Sequence, residues 1–260
     1  MIVAVINNKG GVGKTTSAVN LSAAWAHSGK RTLLVDLDSQ CSASLHLGVR
    51  PGSRYTAESL LLGRGAFSAC STGVDSLDLL PGSPDLARCD FQPTSRRKGA
   101  PAREAVLRQA LEGIRYQYDR IVLDCPPALS DINVNAVVAA DSLLIPVTPS
   151  YLAVEGLVQL LSSVKQIAAS QGASVHPVGI LLTMVDSRMR LTSDVIEMLR
   201  NHYGEQVLTT EIKINVKLAE VSSFGQSIFE YDSRCPGARL YLQAMQELEA
   251  RCRVPAVAAR

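Results

Sequence analysis

Short apolar, β-branched runs recur along the chain at 2–6, 32–36, 77–81, 120–124, 142–147 and 178–183. Between them the spacing of apolar residues turns helical, at 15–27, 101–115, 132–140, 151–169, 192–202 and 238–251. Continuous apolar runs, rather than runs alternating with polar residues, are the mark of strands buried on both faces. Strands that alternate with helices predict a doubly wound, mostly parallel α/β sheet flanked by helices. In such sheets ligands sit outside the carboxyl ends of the strands. The chemistry-bearing residues fall at those ends.

The first run leads directly into Asn7-Asn8-Lys9-Gly10-Gly11-Val12-Gly13-Lys14-Thr15-Thr16, after which the helical pattern begins. A strand, a glycine-rich loop and a helix in this order make a phosphate cradle. Glycines let successive N–H groups turn inward, and the helix N-terminus adds free N–H groups and a positive dipole end. Lys14 is placed to reach β- and γ-phosphates, and the Thr15 hydroxyl to ligate Mg²⁺. The loop departs from G-x-x-x-x-G-K-[ST] in one place, because Lys9 stands where the opening glycine is expected. That puts a second cation at the mouth of the loop; a solvated lysine is the alternative.

Two further strands end in carboxylates. In Val35-Asp36-Leu37-Asp38-Ser39-Gln40, period-two alternation sends Asp36 and Asp38 to one side while the chain stays extended. One could hold a water of a Mg²⁺ shell, the other orient an attacking water. Arg120-Ile121-Val122-Leu123-Asp124-Cys125-Pro126-Pro127 is an apolar strand closed by an aspartate, the usual second carboxylate near Mg²⁺ in P-loop enzymes. The prolines stiffen the loop that follows.

Composition narrows the reading. The 260 residues are 47% hydrophobic and 19% charged, enough for one sizeable core. We expect a single domain over 1–253 and a frayed tail over 254–260. No apolar run is long enough to span a membrane, and no leader pattern precedes the first strand, so a cytoplasmic protein is expected. Cys41, Cys70, Cys89, Cys125, Cys235 and Cys252 form no C-x-x-C pair, and the four histidines show no ligand spacing, so no transition-metal site is expected. A net charge of +2 does not by itself argue for nucleic acid. The 50–100 stretch is rich in Gly, Ser and Pro and carries Arg96-Arg97-Lys98, read as a solvated loop or a contact for an acidic partner.

Taken together these residues resemble the ParA/MinD superfamily of deviant Walker-A ATPases, and within it the ParA-type partition and positioning ATPases. The resemblance rests on Lys9-Gly10-Gly11-Val12-Gly13-Lys14-Thr15-Thr16, Asp36-Leu37-Asp38-Ser39-Gln40 and Asp124-Cys125-Pro126-Pro127. Further pieces are Leu182-Thr183-Met184-Val185-Asp186-Ser187-Arg188 and Asn215-Val216-Lys217-Leu218-Ala219-Glu220. It implies a P-loop fold and Mg²⁺-dependent ATP hydrolysis. Lys9 would reach across an ATP-sandwiched homodimer, and Lys14, Thr15 and Thr16 would hold phosphates and Mg²⁺. Asp38, with Asp36 nearby, would serve as the switch I carboxylate and Asp124 as that of switch II, all three near the metal. Met184 and Asn215 would border the adenine. It also implies sequence-independent binding to double-stranded nucleoid DNA, with Arg188, Arg190, Lys213, Lys217, Arg234 and Arg239 as candidates, and a ParB-like or cargo adaptor that stimulates hydrolysis.

Two positions depart from the partition pattern. Ser39 replaces a proline after the switch I aspartate, and Val221-Ser222 replaces an alanine-proline pair. No helix-turn-helix precedes the first strand, so a promoter-binding role is not expected. A membrane-cycling ATPase of the MinD or flagellar-number type is the alternative. It would need an amphipathic carboxyl-terminal helix, and here that region is broken by Pro255. An iron–sulfur reductase would need paired cluster cysteines, and a nucleotide holder without turnover would not need Asp38 and Asp124.

Overall fold

The computed structural model describes residues 1–50, 52, 55–89, 102–127, 130–172 and 176–253. Its strands are β1 (Ile2–Val5), β2 (Thr32–Asp36), β3 (Cys70–Ser71), β4 (Leu77–Leu80), β5 (Arg120–Asp124), β6 (Ser142–Val147), β7 (His176–Val185) and β8 (Val207–Lys213). They form one sheet in the order β3-β4-β2-β5-β1-β6-β7-β8, parallel throughout except that β3 runs antiparallel to β4. The first strand therefore lies inside the sheet, between β5 and β6. The chain leaves β1 toward β2 on one side and later, coming from β5, places β6 on its other side, and a cleft opens at this reversal.

The longer helices are α1 (Lys14–His27), α4 (Val106–Glu112), α5 (Asp131–Ala139), α6 (Tyr151–Gln171), α7 (Arg190–Tyr203) and α10 (Pro236–Arg253). Short turns of helix make α2 (Ser42–His46), α3 (Ala57–Leu61), α8 (Val216–Glu220) and α9 (Ile228–Asp232). Strand alternation sorts the core into two layers. Ile2, Ala4, Leu33, Val35, Ile121 and Leu123 face one way and pack with Leu107, Ala136, Leu157 and Val195 of α4 to α7. Val3, Val5, Leu34, Val122 and Leu144 face the other way and pack with Leu21 and Trp25 of α1 and Tyr241 and Met245 of α10. Both faces are covered, which is why the strands read as unbroken apolar runs.

The helix α1 is buried almost all round, and its polar residues are paired accordingly. Ser17 and Tyr241 share a hydroxyl–hydroxyl bond of 3.1 Å, Ser22 donates to the Ala18 carbonyl, and Asn20 accepts from the Ile228 amide at 2.8 Å. The helix that carries the phosphate loop is thus tied to both α9 and α10. The structure differs from the sequence reading mainly at β8, a strand that the hydrophobic pattern does not predict. It lies at the sheet edge, with Thr209 exposed and Thr210 and Glu211 half-buried. The Arg96–Lys98 cluster and the 254–260 tail lie outside the described residues. No described helix is long and apolar enough to cross a membrane.

Candidate nucleotide site

The loop between β1 and α1 is built by three local devices. Gly11 and Gly13 adopt φ of 71° and 78°, left-handed values that suit glycine. Asn7 donates to the Pro146 carbonyl at 2.7 Å and accepts from the Lys9 amide at 3.0 Å, pinning the start of the loop to β6. Thr183 donates to the Val12 carbonyl at 2.9 Å, pinning its far side to β7. The Lys14 ammonium turns back to the Lys9 carbonyl at 2.7 Å, so its head lies within the loop's own curl. Burial lowers the Lys14 pKa, against the opposing pull of Asp124.

The two carboxylate strands meet this loop. Asp36 and Asp124 are register partners in neighbouring parallel strands, so their side chains leave the same face side by side. Both are fully buried. The surroundings of Asp36 come from its own connection: it accepts from the Ser44 amide and hydroxyl at 2.8 and 2.7 Å and from the Asp38 amide at 3.1 Å. Gly82 closes over this bond set. A Cβ there would meet the Asp36 Cγ at 3.0 Å and the Asp38 carbonyl oxygen at 2.9 Å. Asp36 thus organises the loop that presents Asp38.

Asp124 is placed differently. Neither of its buried oxygens has a hydrogen-bond partner of good geometry. Burial raises its pKa well above the usual carboxylate range and Asp36 raises it further, while nearby Thr15 and Lys14 act in the opposite sense. A buried carboxylate beside a lysine, a threonine hydroxyl and a glycine loop is a place where a hydrated cation offsets uncompensated charge. Among the described residues no three His, Cys, Asp or Glu side chains converge as a protein-only metal cage. The donor set therefore suits Mg²⁺, which keeps waters and phosphate oxygens in its shell; Thr15 and the aspartates are the groups that would hold it, directly or through water.

A cleft of about 560 Å³ joins these pieces. Gly10, Gly11, Gly13, Lys14, Thr15 and Thr16 line its floor, Asp38 one wall, and Met184 another. Pro127, Ser222 and, from α2, Ser42, Leu45 and His46 line it too; the sequence reading does not single out Ser42, Leu45 or His46. Lys9 is half-buried at the loop mouth, and Val12 packs inward beneath it. Met184 has a positive φ of 51° and an exposed side chain. Asn215 is not among the lining residues; its side chain caps α8 by accepting from the Lys217 amide at 2.9 Å.

The basic candidates do not share one environment. Arg188 forks onto Asp186 at 2.8 and 2.7 Å and holds that carboxyl below its usual range. Lys217 lies 3.8 Å from Glu220 and 5.3 Å from the Tyr231 ring centre. Arg190, Lys213, Arg234 and Arg239 are exposed and form no ion pair among the described residues. Lys213 ends β8 in register with Val185 at the end of β7, at the same end of the sheet as the cleft.

Known proteins match this chain over most of its length. Residues 1–176 match the AAA domain family AAA_31. Sporulation initiation inhibitor protein Soj of Bacillus subtilis is 39% identical over 254 residues, 96% of this chain and 98% of that one. Chromosome-partitioning ATPase Soj of Thermus thermophilus is 42% identical over 251 residues, covering 96% and 95%. Among solved structures, cobyrinic acid a,c-diamide synthase of Mycobacterium smegmatis with bound ATP analog and magnesium superposes with a TM-score of 0.79 at 29% identity, over 94% and 92% of the two chains. On its glycine loop, its paired carboxylate strands and these full-length relatives, the chain belongs to the AAA_31 family and, within the ParA/MinD superfamily, to the ParA/Soj partition ATPases.

Proposed function

We propose that the protein is a Mg²⁺-dependent ATPase that closes as an ATP-sandwiched homodimer, binds double-stranded DNA without sequence preference in that state, and is released when an adaptor stimulates hydrolysis. The observation that carries the ATPase reading is the buried Asp124, set beside Lys14 and Thr15 under a glycine loop that two neighbouring strands hold rigid. Relatives named as chromosome-partitioning proteins support the cellular role. Cargo positioning by the same cycle is the wider form of this reading, and the nucleoid is its expected location.

In this reading the loop amides and Lys14 bind the triphosphate, and Thr16 bonds to it at the helix start. Mg²⁺, when bound, would neutralise phosphate charge beside Thr15 and Asp124. Asp38, presented by the loop that Asp36 organises, orients the attacking water. Met184 covers the base, with Asn215 approaching it from α8. Lys9 donates to the partner protomer's phosphates.

The test separates the two lysines. Lys14→Ala should abolish ATP binding in equilibrium dialysis. Lys9→Ala should still bind ATP but stay monomeric in sedimentation with ATP and Mg²⁺. An unchanged ATP-dependent dimer of Lys9→Ala would overturn the sandwich, and near-normal ATP affinity of Lys14→Ala would overturn the phosphate-loop assignment.

A further inference from the structure

The cleft has a wall that the phosphate chemistry leaves unused. His46, the last residue of α2, lines it together with Ser42, Leu45 and Ser222. It is only 4% exposed, yet its buried Nε2 has no hydrogen-bond partner. Burial lowers its pKa to about 4, so the ring is neutral near pH 7 and offers one N–H donor and one acceptor. A buried imidazole nitrogen without a partner costs free energy, and a purely structural position would favour an apolar side chain.

The wall is also held in place. Just beyond α2, Gly48 packs backbone to backbone on Gly225: a Cβ on Gly225 would meet the Gly48 Cα at 3.0 Å. Both glycines have positive φ, 72° and 69°. This contact locks the end of α2 onto the loop that carries Ser222, so His46 and Ser222 form one fixed side of the cleft. Lys14 and Thr16, two residues apart at the start of α1, line the same cleft as His46 and Ser222.

We propose that His46 binds the sugar hydroxyls of the nucleotide, as a neutral donor–acceptor that sets the preference for a ribonucleotide. The proposal rests on the nucleotide reading above. A ribose hydroxyl both gives and takes a hydrogen bond, which matches a neutral imidazole better than it matches a charged group.

The experiment measures binding of ATP, 2′,3′-dideoxyATP and inorganic tripolyphosphate to wild type, His46→Leu and His46→Gln. Leu fills the site without a polar atom and should leave the melting temperature unchanged or raised; His46→Phe replaces it if Leu does not fold. Wild type should bind ATP about three- to tenfold more tightly than the dideoxy analogue, the worth of one hydrogen bond. His46→Leu should bind both equally, and His46→Gln should recover part of the difference. Tripolyphosphate should bind all three proteins alike. Equal affinity of wild type for ATP and its dideoxy analogue, or full discrimination retained by His46→Leu, would overturn the proposal. A parallel loss of ATP and tripolyphosphate in His46→Leu would also overturn it, since the residue would then act on the loop. Failure of the wild type to bind ATP at all would instead overturn the ATPase reading.

Discussion

Asp36 and Asp124 are one register step of the same sheet, and their environments separate them. Asp36 is held by Ser44 and the Asp38 amide, while Asp124 is buried near Thr15 and Lys14 with its oxygens unpaired by good hydrogen bonds. An aspartate whose pKa is higher in the folded than in the unfolded chain gives the native state extra protons between the two values. Stability then falls as pH rises through that window. Asp124→Asn removes the ionisation. Nucleotide-free Asp124→Asn should therefore melt above the wild type near about pH 7.5, and the gap should close toward about pH 3.5, where both states of the wild type are protonated. Scanning calorimetry across pH checks this; a variant that melts lower than wild type at neutral pH would show that neighbouring cations already stabilise the charge. Both aspartates are legible in the sequence because a carboxylate at the end of an apolar run is conspicuous. Their partners are not. Ser44 is eight residues from Asp36, and Gly82 arrives from another strand connection. His46 gives no signal either, because a lone histidine in a short helix has no periodic pattern to reveal its direction.

At the scale of elements, legibility follows burial. The central strands β1, β2, β5 and β6 have two covered faces and little else to be. The edge strand β8 packs one face on α10, while on the other Val207 and Glu211 meet α7 and Thr209 and Lys213 stay exposed, so its sequence mixes threonine and glutamate and the strand signal fades. The helix α8 is too short for a period to show, though Asn215 stands at its cap. The helix α10 is fixed by interactions that no pattern announces. Arg120, at the start of β5, donates to Glu249 of α10 at 2.9 and 2.5 Å, with both side chains mostly buried. Glu249→Ala leaves that guanidinium with the Asp119 carbonyl but no carboxylate, and should cost about 3 kcal/mol. Urea denaturation should show a lower midpoint with an unchanged slope, and ATP affinity should stay near wild type, because Arg120 is at the opposite end of β5 from Asp124. A loss under about 0.5 kcal/mol would mean that water screens the pair as it does a surface one.

For the molecule as a whole, the fold and the phosphate loop can be read from sequence, while the DNA surface cannot, because charge must first be placed in space. Residues 201–260 hold seven Lys or Arg and seven Asp or Glu, so no strong field distinguishes that part of the chain. The structure divides the candidates. Arg188 is taken up by Asp186, and Lys217 is shared between Glu220 and Tyr231, whereas Lys213 is exposed at the cleft end of the sheet. Few free cations per protomer bind phosphates weakly, and closing two protomers on one duplex adds their effects through effective concentration. ATP-loaded protein should therefore bind duplexes of unrelated sequence with similar affinity, the ADP form should not, and binding should weaken steeply with salt. Lys213→Ala should lower affinity alike on all sequences and flatten the salt slope by about one unit for each phosphate ion pair that a protomer no longer makes. Arg188→Ala should change the slope less, since its charge is already opposed. ATP turnover should survive in both, because neither side chain touches the phosphate loop. A salt titration with ATP, with ADP and without Mg²⁺ decides the matter. Absence of DNA binding by the ATP form at low salt, together with sedimentation on anionic liposomes, would replace the DNA reading with the membrane-cycling one.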